Sequence, residues 1–122
     1  MPSLHQSVSV LVVGFALGAL SWFAAAAASG SFEPYDSGVG LMVNQAVLSA
    51  PVALLAWRGR SGLSLLLLCG AYLGMNAYAY GFGSSETRSW ATLGAVVSML
   101  LMLAPILLML GAVAIRRFFR RN

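Results

Sequence analysis

The chain has 122 residues, 60% of them apolar and only 8% charged, with a formal net charge of +4. A soluble domain carries roughly 25% charged residues, so this composition excludes a globule whose whole surface faces water, and lipid has to cover it. The positive charge is no argument for nucleic acid, because Arg116, Arg117, Arg120 and Arg121 follow directly on an apolar run and read as a membrane flank facing anionic head groups.

A helix that crosses hydrocarbon needs about 20 predominantly apolar residues at a rise of about 1.5 Å each. The first such stretch covers residues 8–28. A signal peptide cleaved near Ala24 to Ala28 is the competing reading. Its apolar core exceeds the roughly 7–15 residues usual there, and no Lys or Arg precedes it, so a retained span is expected. The second stretch covers residues 39–57, the third 63–83 and the fourth 90–115, followed by a basic tail over 116–122. The breaks read SGSFEPYDSG (29–38), RGRSG (58–62) and SSETRS (84–89). Connections this short make consecutive spans antiparallel. The expected fold is therefore an all-α membrane protein, a single transmembrane domain built as a four-transmembrane-helix up-down bundle.

Arg58 and Arg60 in the second connection fall on the same side as the Arg116–Arg121 cluster, while Glu33, Asp36 and Glu86 fall on the other with the single cation Arg88. The positive-inside rule makes the arginine side cytoplasmic and places both termini there. All seven cations are arginine, and isoleucine occurs only at Ile106 and Ile115. That usage resembles GC-rich coding and points to a bacterial inner membrane.

An offset of 54 residues lays the second span on the fourth, matching Gly40 with Gly94 and Ala50-Pro51 with Ala104-Pro105. An offset of 56 lays Gly14-x-x-x-Gly18 on Gly70-x-x-x-Gly74. Two tandem helical hairpins of common origin would give this pattern; so would chance alignment of apolar helices that share few residue types. Pro51 and Pro105 sit inside their spans, lack an N–H, and leave the carbonyls of Val47 and Leu101 without their usual partners, so both are expected to bend their helices. Gly14 with Gly18, Gly70 with Gly74, and Gly94 with Ser98 form small-residue stripes that let another backbone approach closely.

The polar residues at membrane depth are the candidate functional positions. Asn44 lies about 7 Å below the outer end of its span and Asn76 about 10 Å below the end of its own. Ser21 and Ser98 fall at similar depths, Gln45 adds a second amide, and Tyr72, Asn76 and Tyr80 recur every four residues along one face. An amide facing hydrocarbon is costly, so these groups should point inward, as a hydrogen-bonded layer or as the lining of a vestibule.

No acidic or basic side chain lies within a span, which argues against ion-coupled transport. One histidine, His5, and one cysteine, Cys69, supply no metal constellation, no haem ligand within the bundle and no Ser-His-acid arrangement. The expected protein is non-catalytic and without cofactor. It would act by helix-helix contact with another membrane protein, as an accessory subunit or an immunity-type protective factor. The alternative is a homo-oligomeric pore or carrier for a small neutral solute.

Overall fold

The structure, a computed structural model, describes residues 2–122, and these contain helices and turns but no strand. The elements are α1 (Leu4–Ser29), a 3-10 turn (Pro34–Asp36), α2 (Gly38–Trp57), α3 (Ser61–Phe82), α4 (Ser85–Ser89), α5 (Ala91–Leu100) and α6 (Leu103–Arg121). Four stretches are long and apolar enough to cross a membrane: α1, α2, α3, and α5 together with α6. Their outer surface is apolar as well. Leu65, Leu73, Leu107 and Leu110 each leave half or more of their area exposed.

Local chemistry sets the element ends. Serine oxygens accept from otherwise unpaired amides at three helix starts: Ser3 from Gln6 N–H (3.1 Å), Ser37 from Gly40 N–H (3.4 Å) and Ser84 from Thr87 N–H (3.2 Å). Gly30, at φ +76°, closes α1 in the left-handed conformation and donates its N–H to Ala26 O. Gly59, at φ +83°, turns the chain between α2 and α3. The Arg116 side chain lies directly over Gly59, so a Cβ there would strike the guanidinium. That packing gathers the α2–α3 turn, with Arg58 and Arg60, and the arginine-rich end of α6 at one end of the molecule. At the opposite end Thr87 Oγ1 donates to Glu33 Oε1 (3.5 Å), tying α4 to the α1–α2 connection. These are the basic end and the acidic end.

The closest packing joins α1 to α3. A Cβ on Gly14 would run into the carbonyl of Leu67, one on Gly18 into that of Ala71, one on Gly70 into that of Leu11 and one on Gly74 into that of Phe15. The two glycine stripes therefore fill each other, and the contacts advance together along both helices. α2 packs beside this pair and carries α6 on its other flank, whereas α5 rests on α3. Leu48, Val52, Leu67, Leu68, Ala71 and Met75 form the centre of the core, joined by Met102 and Met109 from the fourth stretch.

Three features differ from the sequence-based reading. The SSETRS connection folds as a helical turn, α4, because Ser84 caps it. The arginines at 116–121 continue α6 to Arg121 instead of starting a tail at 116. Their cations then lie at a helix C-terminus, where the macrodipole favours them. The fourth stretch is also broken. At Leu101 and Met102 the amides donate to Ser98 O and Met99 O, three residues back (3.1 Å each), so one turn tightens before α6 begins. Pro105 is the cause, since it offers no N–H to Leu101 O and its ring crowds that carbonyl. Pro51 lies inside an α2 that stays helical from Gly38 to Trp57. The two proline-bearing stretches are thus unlike in form, although their sequences align.

Candidate functional site

The polar residues form two networks at neighbouring positions. In the first, Asn44 is fully buried and its Nδ2 donates to Ser21 Oγ (3.1 Å) and to Met75 Sδ (3.5 Å). Ser21 Oγ in turn donates to Gly18 O (2.7 Å). Gln45 Nε2 donates to Asn44 Oδ1 (3.0 Å) and to Leu101 O (3.0 Å). The last bond answers the proline problem: Gln45 of α2 supplies the donor that Pro105 withholds from Leu101. No side chain among the described residues does the same for Val47 above Pro51.

The second network joins α3 to α5. Asn76 Nδ2 donates to Tyr72 O (2.8 Å) and Ser98 Oγ (3.0 Å), and Ser98 Oγ lies 3.2 Å from Asn76 Oδ1 and 3.0 Å from Ala95 O. One hydroxyl proton serves those two acceptors. Tyr72 OH donates to Ala95 O (2.8 Å), which fixes the same pair of helices a turn away. Tyr80 stands apart from the network, 59% exposed. A four-residue step advances about 40° round the helix, so two steps carry Tyr80 off the Tyr72–Asn76 face. Gly94 also stands apart: a Cβ on it would meet nothing within 4 Å. Ser98, expected to share a groove with it, is buried through its bonds to Asn76 instead.

Sequence reasoning did not single out Ser64, whose Oγ donates to Val52 O (2.6 Å) and clips α3 to α2. It also missed the aromatic cluster at the acidic end. Trp22 packs edge-on against Phe32 (centroids 5.8 Å) and Tyr35 (6.3 Å), and Phe32 stacks on Tyr78 (6.2 Å), which stacks on Phe82 (4.6 Å). The cluster draws α1, its following connection and α3 together, so the FEPYD segment is a lid on the bundle. The only cue in sequence was that each of these rings falls near the same end of its segment.

A cavity of about 970 Å³ opens beside this cluster, between α3, α4, α5 and the α1–α2 connection. Tyr72 and Asn76 border it, so the second network lies at its wall; Ser21, Asn44 and Gln45 do not. Glu33 and Glu86 also border it. Burial raises the Glu33 carboxyl above its ordinary range, and a hydrogen bond with neighbouring Asp36 adds to the rise. The native state therefore holds this proton more tightly than the unfolded chain does. Its contribution to stability is present below the unfolded-state value and is lost as pH rises through the folded one. Burial also raises the Tyr35 hydroxyl, helped by the negative charges of Glu33 and Asp36.

No protein-family model matches the chain, and neither does any curated protein or solved structure. The class defined by fold and site is that of a small all-helical protein with four stretches able to cross a membrane.

Proposed function

We propose that the chain is a single domain of the bacterial inner membrane, a four-span up-down bundle with both termini cytoplasmic. In this reading it acts without catalysis, through helix contact with another membrane protein, as an accessory subunit or protective factor. The observation that carries this reading is the closure of the Asn44 network. Both amide hydrogens of Asn44 and of Gln45 are engaged inside the chain, which supports a role for these groups in holding helices together. The surface left for other molecules is apolar helix, most of all on α5 and α6, where Val96, Met99, Leu103 and Leu107 are exposed. Arg58, Arg60 and the α6 arginines at one end suit anionic head groups.

Native mass spectrometry of the gently extracted protein, tagged at its N-terminus, tests the contact reading. A defined complex with a different chain is expected. A homo-oligomer alone, passing a neutral solute in liposomes, would replace that reading with the pore, which the acidic-end cavity favours. Orientation has its own test. Cys69 is exposed on α3, so a Cys69→Ala background is needed. On that background Asp36→Cys and Ser85→Cys should react with an impermeant maleimide added outside intact cells. Protection of both would invert the topology.

A further inference from the structure

We propose that the acidic-end cavity binds an organic cation, a quaternary ammonium or phosphonium centre carried on an apolar body. The proposal goes beyond the contact reading and does not depend on it. At about 970 Å³ the cavity lies at the upper end of the range of roughly 300–1,000 Å³ common for small-molecule sites. Its walls carry Trp22 from α1, Tyr35 from the 3-10 turn, Tyr72 and Tyr80 from α3, and Trp90 from the α4–α5 junction. Ring faces attract cations, most strongly where water is excluded. The protein already makes one such contact here, with the Arg88 guanidinium 5.9 Å from the Tyr80 ring centroid.

Charge points the same way. Glu33 and Glu86 border the cavity, and no lysine or arginine does among the described residues. Glu33 accepts from Thr87 and is in no ion pair among those residues, while Arg88 is engaged with the carbonyls of Tyr80 and Gly81. The nearby cation, Arg88, is taken up by the Tyr80 ring and these carbonyls and forms no ion pair with either glutamate among the described residues, so carboxylates beside the remaining rings suit a ligand that brings the charge. Trp22 adds a donor. It is only 3% exposed, and its indole N–H is buried without a hydrogen-bond partner beside the cavity wall.

An ordinary interfacial aromatic belt accounts for the exposed rings of Tyr35, Tyr80 and Trp90 at the cavity mouth, but not for the other two, because belt residues sit at the lipid surface. Trp22 is buried and Tyr72 half-buried toward α5, so these two rings face the interior of the molecule. A lipid ammonium head group carries its phosphate with it, and Glu33 and Glu86 would repel that phosphate. The favoured ligand is therefore a cation without an attached anion.

The test uses the full chain in nanodiscs with Trp57→Phe, so that Trp22 and Trp90 alone report by fluorescence. Tetraphenylphosphonium is the probe and triphenylphosphine oxide its neutral counterpart. Saturable quenching by the cation is expected, with an affinity at least tenfold above that for the neutral molecule. The Glu33→Gln, Glu86→Gln double variant should weaken the cation tenfold or more, leave the neutral compound unchanged and melt no lower than the parent. Trp90→Ala should weaken both. Equal affinity for the two probes, no saturable quenching, or a double variant that binds the cation as before would each overturn the proposal. Discs with and without phosphatidylethanolamine should give the same cation affinity. A tenfold loss when that lipid is present would reassign the site to a head group and overturn the choice of ligand.

Discussion

Valine at Gly74 is expected to destabilise the folded bundle strongly, while valine at Gly94 leaves it nearly unchanged. At Gly74 the new side chain would enter the space of Phe15 O, and at the three other seam glycines it would likewise meet backbone of the opposing helix. A flexible side chain could rotate away; a helix backbone cannot. α1 and α3 would have to separate, which opens the contacts of Leu67, Ala71 and Met75 and stretches the Asn44–Ser21 bond. Overpacking a well-filled interior typically costs about 1–3 kcal/mol, and here the obstacle is rigid, so Gly74→Val should lose about 3 kcal/mol or more. Gly94→Val, with open space around it, should stay within about 0.5 kcal/mol of the parent. Thermal unfolding in mild detergent, followed by circular dichroism and by the monodisperse fraction after heating, measures both. Equal losses at the two positions would show that the α1–α3 seam is not what holds the fold.

The second large effect is the coupling between Gln45 and Pro105. Gln45→Leu leaves Leu101 O and Asn44 Oδ1 without their donor and should cost about 1–3 kcal/mol, the usual penalty for an unsatisfied buried group. Pro105→Ala changes what that loss means. Alanine restores an N–H four residues after Leu101, so the carbonyl regains a partner within its own helix. On the Pro105→Ala background Gln45→Leu should therefore cost less, with a coupling of about 1 kcal/mol in a double-mutant cycle. Reversible unfolding in mixed micelles measures the four corners. Additivity within about 0.3 kcal/mol would mean that Gln45 does not serve the carbonyl that proline frees.

These two cases mark how far the sequence could be read. The four apolar stretches were legible because length and hydropathy are local properties; the predicted 39–57 and the observed Gly38–Trp57 differ at one end by one residue. The glycine stripes were legible as grooves, since a missing side chain shows in sequence. Which groove fills which is a tertiary fact, and Gly94 carries the same motif without a neighbour. The free carbonyl of Leu101 followed from Pro105 alone. Its donor did not, because Gln45 lies far away along the chain and nothing local links them. Likewise the depths of Ser21, Asn44, Asn76 and Ser98 were countable, but their division into two networks depends on how the helices are rotated. The acidic-end cavity was least accessible of all. Its rings come from four separate segments, so no single window of sequence holds the pattern.

The α1–α3 seam also sets an order of manufacture. A ribosome releases the chain from the N-terminus, and domains begin to fold as they emerge. The residues of the most intimate interface in the protein are all free once Phe82 has left the ribosome, while α5 and α6 are still emerging. Three helices can then stand as a template for the broken last stretch. That stretch joins through hydrogen bonds from Gln45, Tyr72 and Asn76 and through apolar side chains such as Leu101, Met102 and Met109, without a glycine seam like that of α1 and α3. A released chain truncated before residue 90 should therefore already carry the seam.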